Sequence, residues 1–500
     1  MTTADSLKTS RRTRPSERES EGSALNVSGL RGVNQVTAAF EAQRLAFARN
    51  RVTSLEERRA NLLTLQRLIE RNRSLLVEAA HSDFGTRASF ETELSEIVGT
   101  VSTIRFMRRR LRKWMAPRRR AASIWFKPAK NRVEPSPRGV VGVVSPWNFP
   151  VHLALIPAAT ALAAGNRVML KLSEFTPATS SVIMRLVAEN FDPDVFFVTD
   201  GGTDVAVAFT QLPFDHLFFT GSTEVGKTVA RSAAGSLTPV TLELGGKSPV
   251  LVDHDYPIEA AATAVAWAKL YNGGQVCISP DYVLVPRGKE REFAEATIRA
   301  ARTLYPTVAG NGEYTSIINQ SNYDRLRGYV AAAQDASEEV LSAEDWELGR
   351  DRRQFPLTVI INPPADSRVM TEEIFGPVLP VIGYDSDDGA ATTINARSIP
   401  LAFYLLAKEK RRQRAWLDRI PSGSAVVNDL MIGYLQNDLP FGGRGGSGMG
   451  AYHAREGFDT FSHLRPVVYQ KPILGRTGVQ MLYPPYSPVA SLLLKIMRRT

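Results

Sequence analysis

Residues 140–172 read VVGVVSPWNFPVHLALIPAATALAAGNRVMLKL, and their order decides the fold. Val140–Val144 is a short β-branched run without a charge, the composition of a strand buried on both faces. Leu153–Ala164 follows as an apolar helical stretch, and Arg167–Leu172 closes the unit as a second strand. Val195–Thr199 and His216–Thr220 continue the alternation, which predicts an α/β domain built on a doubly wound parallel sheet. The most apolar run, Val151–Gly165, contains a histidine and falls short of the ~18–20 residues of a membrane span.

Downstream, strand-like runs recur at Val250–Val252, Tyr282–Val285, Thr358–Ile361, Val378–Ile382, Phe403–Ala407 and Ala425–Asn428. Two α/β domains in succession are expected, closely packed because no Gly/Ser linker separates them. Upstream, helical periodicity runs through Val36–Ala80, where Leu55, Leu62, Leu63, Leu65, Leu68 and Ile69 alternate with charged residues. Residues 1–25, rich in Arg, Ser, Thr and Glu, read as a disordered tail with no secretory signal. Near the other end, Arg465–Gln470 reads as a strand. Ala490–Met497 is a short amphipathic stretch expected to dock on its own or a partner subunit, with membrane anchoring as the weaker alternative.

With 500 residues, 43% apolar and 22% charged, the chain has material for real cores, and collagen, low-complexity disorder and a disulfide scaffold are excluded. Cys277 is the single cysteine, so no intrachain disulfide can form and a cytoplasmic location is expected. The net charge of +10 raises the question of nucleic acid. Yet 12 Lys and Arg lie within Arg105–Arg132, which has no acid, and without them the chain carries −2. Ile104, Met107, Leu111 and Trp114 recur there at helical spacing, so the segment reads as a packed helix with a solvated cationic face. A patch for anionic partners or a membrane surface is the alternative. No aromatic interleaving or zinc spacing supports a nucleic-acid module, and none is expected as partner.

The six histidines form no pair at metal-ligand spacing, so no metal is expected. No G-x-S-x-G occurs, and no G-x-G-x-x-G follows a strand. Three segments stand out instead. In Tyr271-Asn-Gly-Gly-Gln-Val-Cys277, two glycines give the backbone freedom to aim the sulfur and its amide at a ligand, although a lone cysteine is more often a small buried hydrophobe. In Thr241-Leu-Glu-Leu-Gly-Gly-Lys247, a poorly solvated Glu243 would have a raised pKa that suits a general base; an ordinary glutamate at a strand end is the plain alternative. In Ser145-Pro-Trp-Asn-Phe-Pro150, Asn148 could present its amide to an oxyanion, or the segment is simply a proline-rich turn.

Together with Lys171-Leu-Ser-Glu174 and Phe219-Thr-Gly-Ser-Thr-Glu-Val-Gly226, these segments resemble the NAD(P)-dependent aldehyde dehydrogenase superfamily. Glu372-Glu-Ile-Phe-Gly-Pro377 and Pro440-Phe-Gly-Gly443 match it too, in order, over roughly residues 30–485. Cys277-Ile-Ser-Pro-Asp-Tyr282 and Gly448-Met-Gly-Ala-Tyr-His453 are most similar to the class 3 branch, and Pro117–Glu134 to the bacterial coniferyl aldehyde dehydrogenases.

The resemblance implies Cys277 as nucleophile, Glu243 as the base that activates water, and Asn148 with the Cys277 amide as oxyanion donors. It implies cofactor contacts at Trp147, Lys171, Glu174, Gly221, Ser222, Gly226, Glu373 and Phe375, for NAD, with NADP also tolerated in the class 3 branch. The implied organisation is a cofactor-binding domain of residues 26–118 and 138–245, a catalytic domain of 246–445, an oligomerisation arm of 119–137 and 460–472, and a tail of 473–500. Leucine stands at Leu172 where the family usually has proline, which alters the turn but not the contacts.

Phe149, Trp267 and Tyr271 are candidates for the substrate tunnel. Trp267 and Tyr271 are four apart on one apparent helix and can face one cavity, with ordinary core packing as the alternative. An aromatic lining suits aromatic or medium-chain aliphatic aldehydes, and the resemblance points to coniferyl aldehyde. The expected activity is oxidation of an aldehyde to its acid through a cysteine thiohemiacetal and thioester. A catalytically inactive relative that binds anionic surfaces through Arg105–Arg132 is the competing reading. By resemblance to class 3, a homodimer is expected.

Overall fold

The computed structural model describes residues 17–472 and 477–498. The unit at 140–172 forms as strand Val140–Val144, helix His152–Ala163 and strand Arg167–Lys171, with the two strands parallel. Every residue of that helix is buried, which is why it is apolar on all sides. Its sheet has six strands in the order Gly448–Met449, Val240–Glu243, His216–Thr220, Val140–Val144, Arg167–Lys171, Phe196–Thr199. Only Gly448–Met449 runs antiparallel, against Val240–Glu243. The chain steps from Val140–Val144 out to Phe196–Thr199, then returns to the other side of its starting strand as His216–Thr220. That reversal opens a crevice beyond the carboxyl ends of the strands, where open α/β sheets bind ligands.

A second sheet of seven strands runs Glu339–Ser342, Thr358–Ile361, Val378–Tyr384, Tyr282–Pro286, Pro249–Val252, Ala402–Leu406, Ser424–Val427. It is parallel except for Glu339–Ser342. That edge strand is half-exposed and carries no continuous apolar run, so the sequence offers little sign of it. A third sheet joins distant parts of the chain: Arg118–Arg120 and Ser462–Tyr469 both pair antiparallel with Lys130–Pro137.

The N-terminal periodicity resolves into helices Glu17–Arg49, Leu55–Arg71 and Arg73–Phe84. Ser54 and Glu57 form a reciprocal cap that starts the second, at 3.1 and 2.7 Å. The first helix begins inside the stretch read as a disordered tail to residue 25, because Glu and Arg are strong helix formers as well as markers of disorder. Residues 1–16 of that tail lie outside the described residues. The cationic helix is Gly99–Met115, with Ile104, Met107, Leu111 and Trp114 buried as their spacing predicts. Beyond Pro117 the basic segment becomes strand, and part of its charge is internally matched. Arg105 meets Glu70 at 2.5 Å, Arg108 donates to Gln66 at 2.7 Å, and Arg118 pairs with Asp459. Among the described residues no helix is long and apolar enough to cross a membrane.

Candidate active site

The crevice holds a cavity of about 450 Å³. One wall is made by the residues at and just past the strand ends: Ser145–Asn148, then Lys171, Ser173 and Glu174, then Thr220–Ser222, then Glu243–Gly245. The facing wall comes from the second sheet's approaches, with Cys277, Glu373 and Phe375.

Cys277 arrives there through a tight turn. Helix Ile258–Leu270 ends, and Asn272, Gly273 and Gly274 take left-handed φ values of 52°, 60° and 73°. A Cβ on Gly274 would stand 2.5 Å from the Gly376 carbonyl carbon, and one on Gly273 2.9 Å from the Thr315 oxygen. Both positions therefore need glycine. Buried Gln275 then pins the turn. Its Nε2 donates to the Asn272 and Ser316 carbonyls at 2.9 and 3.0 Å, and its Oε1 accepts from the Ile318 amide at 2.9 Å. Glu91 accepts from the Asn272 amide at 3.1 Å and from the Thr315 hydroxyl at 3.1 Å.

Asn148 is held against the same turn. Its Nδ2 donates to the Gln275 carbonyl at 3.1 Å, and its own carbonyl accepts from Asn272 Nδ2 at 3.2 Å. A second Nδ2 hydrogen remains for a ligand. Behind it, the carboxylate of Glu96 accepts from the Val151 and His152 amides, both at 2.8 Å, and faces buried Arg87 at 3.0 Å.

The cavity is electrostatically unusual. Glu243 is buried and, among the described residues, has no hydrogen bond to either carboxyl oxygen; desolvation pushes its pKa well up. Burial raises Glu373 to about 8; nearby Asp281 adds to this, while the Gly246 amide opposes it. The Cys277 thiol is pushed up to about 12, first by burial, then by Glu373 and Glu243. A thiol and two carboxyl groups in one dry site cannot all be charged, so proton position there is shared among them.

The other singled-out residues gather at the same place. Lys171 Nζ lies 3.2 Å from Glu174 Oε2. Ser222 caps helix Thr223–Ala234, accepting from the Val225 amide at 3.4 Å, so the helix's positive end faces the cavity. The Trp147 and Phe375 rings meet edge-on at 5.4 Å. Gly221 borders the cavity; Gly226 does not, being buried where a side chain would collide with Leu244. It acts on helix packing rather than on the wall.

Cys277 also borders a second cavity of about 100 Å³, which Phe149, Trp267 and Tyr271 line together with Leu94, Leu153, Met431, Ile432 and Leu435. The Trp267 and Tyr271 rings lie 5.7 Å apart, with Tyr271 one residue beyond the helix end.

The aldehyde dehydrogenase family profile matches residues 7–467. The chain belongs to the aldehyde dehydrogenase family. It is 41% identical over 472 residues to the coniferyl aldehyde dehydrogenase of Pseudomonas sp. strain HR199, covering 94% of this chain and 97% of that one. It is 35% identical over 462 residues to mouse aldehyde dehydrogenase family 3 member B2, covering 91% and 94%. Among solved structures, Staphylococcus aureus AldH in a substrate-bound state superposes with a TM-score of 0.87 at 33% identity, over 92% of this chain and 99% of that one. The Mycobacterium tuberculosis aldehyde dehydrogenase complexed with NAD+ gives 0.79 at 27%, over 88% and 90%.

This aldehyde dehydrogenase is thus an oxidoreductase that uses a nicotinamide cofactor. The inactive reading finds no support, since Cys277, Glu243 and Asn148 all border one cavity. Sequence reasoning missed Gln275, Asn272 and Glu91, which fix the turn that leads to Cys277. It also missed Tyr434, which borders both cavities. For the region around Tyr434, the apolar run Leu430–Leu435 following a strand was an available signal.

Proposed function

We propose that this enzyme oxidises an aromatic or medium-chain aldehyde, coniferyl aldehyde among them, to the carboxylic acid, with Cys277 as nucleophile. The single observation that carries the reading is the position of Cys277 in the wall shared by the small apolar cavity and the larger one at the strand ends. The residues fit a dinucleotide: a crevice at the strand ends, a capped helix N-terminus at Ser222, the Lys171–Glu174 pair, and an orphaned Glu243 carboxyl near the sulfur. When bound, NAD supplies a hydride acceptor.

The protein's own part follows in order. The Cys277 thiol yields its proton to solvent water, and the sulfur, as thiolate, bonds to the aldehyde carbon. The oxygen of that adduct takes its negative charge beside the free Asn148 Nδ2 hydrogen and the Cys277 amide. The hydrogen on that carbon departs with its electron pair, leaving a thioester on Cys277. Glu243, ionised, takes a proton from water; the resulting hydroxide attacks the thioester carbon and sulfur leaves as the product acid forms. Glu373 and Phe375 hold the nicotinamide end, with Trp147 against Phe375. Lys171 and Glu174 hold the adenosine ribose, where the Glu174 carboxylate accepts from its hydroxyls and repels a 2′-phosphate. NAD is therefore the preferred cofactor, with NADP used less efficiently.

The working form is a cytoplasmic homodimer. The strand Ser462–Tyr469 exposes Val468 and Tyr469, and Pro488–Met497 exposes Leu492, Leu494 and Ile496, apolar surface suited to a partner subunit. The test is an aldehyde panel run with NAD and NADP in parallel. Reduced nicotinamide and acid should form, faster with NAD; no turnover of any aldehyde with either cofactor rejects the reading.

A further inference from the structure

Two buried charges that take no part in the reaction meet between the segments that do. Lys247 stands four residues after Glu243, and Asp281 four residues after Cys277. Their side chains form an ion pair, 8% and 4% exposed. The same two segments are joined through the backbone, where the Asp281 amide donates to the Ser248 carbonyl at 2.8 Å.

Every hydrogen of the Lys247 ammonium is used. Besides Asp281, its Nζ donates to the carbonyls of Val369 and Glu372, both at 2.9 Å. These carbonyls lie in and just past the four-residue helix Arg368–Thr371, at the end where a helix leaves carbonyls without internal partners. Asp281 turns one oxygen to Lys247, and the other, Oδ1, accepts from the Ile374 amide at 2.9 Å. The pair therefore grips the peptide group before Glu373 and the peptide group after it. The Glu373 carboxyl itself lies over Gly245, where a Cβ would collide with it, two residues ahead of Lys247.

A buried ion pair is a poor means of adding stability, because desolvating two charges offsets most of their attraction and apolar side chains of similar size often do as well. Apolar side chains cannot, however, hold two carbonyls and an amide in fixed directions. We infer that Lys247 and Asp281 are positioning residues for hydride transfer, fixing Glu373 and Phe375 relative to Glu243 and Cys277 so that the nicotinamide end of the cofactor is held at the sulfur. The inference rests on the reading of Glu373 and Phe375 as the residues that hold that end.

The experiment compares the wild type with two double variants, Lys247→Met/Asp281→Leu, which removes both charges together, and Lys247→Gln/Asp281→Asn, which keeps a donor and an acceptor for the loop. KM for NAD, KM for cinnamaldehyde and the pre-steady-state rate of nicotinamide reduction are measured. Because Cys277 is the single cysteine, its alkylation by iodoacetamide without cofactor reports on the nucleophile alone. In the apolar variant KM for NAD should rise roughly tenfold and nicotinamide reduction should slow roughly tenfold or more, while KM for cinnamaldehyde and the alkylation rate stay at wild-type values. The polar variant should fall between the two. Wild-type KM for NAD and reduction rate in a folded apolar variant overturn the inference. So does a shift of aldehyde KM and alkylation by the same factor, which marks general disruption, or a polar variant no better than the apolar one. If the apolar variant does not fold, the polar one carries the comparison, and wild-type values in it overturn the inference. Glu373→Ala separates the underlying reading: it should raise KM for NAD by itself, and if it does not, the reading of Glu373 falls and the inference with it.

Discussion

Asn148 Nδ2 donates to the carbonyl of Gln275 at 3.1 Å, so the turn that follows strand Val140–Val144 of the first sheet is tied to the loop that carries Cys277. Asn148→Ala should lower kcat about 10²–10³-fold through loss of the oxyanion donor. Its cost in stability should stay near 1 kcal/mol, because Asn272 Nδ2 also reaches the Gln275 carbonyl, at 3.2 Å. Steady-state kinetics beside thermal unfolding separate the two effects.

Gly274 combines a φ of 73° with a close approach to Gly376. Gly274→Ala is expected to destabilise the protein by roughly 1–3 kcal/mol and to displace Cys277, with loss of most activity. Gly312→Ala, where nothing lies within 4 Å of the added carbon, is the control and should leave both properties near wild type.

Four strands of the first sheet, Val140–Val144, Arg167–Lys171, Phe196–Thr199 and His216–Thr220, were legible as short apolar runs, whereas the two-residue Gly448–Met449 at its edge was not. The strands of the second sheet followed for the same reason, apart from Glu339–Ser342, whose half-exposed edge position requires no apolar pattern. Three of the residues singled out from the sequence do line one cavity. Glu243, Cys277 and Asn148 sit beside double glycines or prolines, which mark where the backbone is forced into a special path. What supports them was not legible. Glu91 lies in the N-terminal helical region and Gln275 two residues before the sulfur, and neither announces that it will bond groups far away in sequence. Gly226 shows the reverse: a motif glycine proved to serve packing against Leu244.

Glu373 makes stability depend on pH in a defined direction. Its carboxyl ordinarily ionises near 4.5 but in the folded protein holds its proton up to about 8, chiefly because it is buried. Between those values the unfolded chain releases a proton that the folded one keeps, so stability from this group falls as pH rises from 4.5 to 8. Glu373→Gln removes the dependence. Its thermal midpoint should exceed that of the wild type by roughly 2–4 °C near pH 8 and match it near pH 4.5. Midpoints recorded across that range provide the check, and an unchanged difference at both ends would contradict it.

The central claim is that Cys277 carries the acyl group and Glu243 brings in the water that removes it. Glu243→Gln, mixed with NAD and cinnamaldehyde and quenched in acid, tests this by mass spectrometry of the digested protein. The account predicts a burst of about one equivalent of reduced nicotinamide, little further turnover, and an acyl mass on the peptide containing Cys277. Continued full turnover, or a burst that leaves Cys277 unmodified, would contradict it.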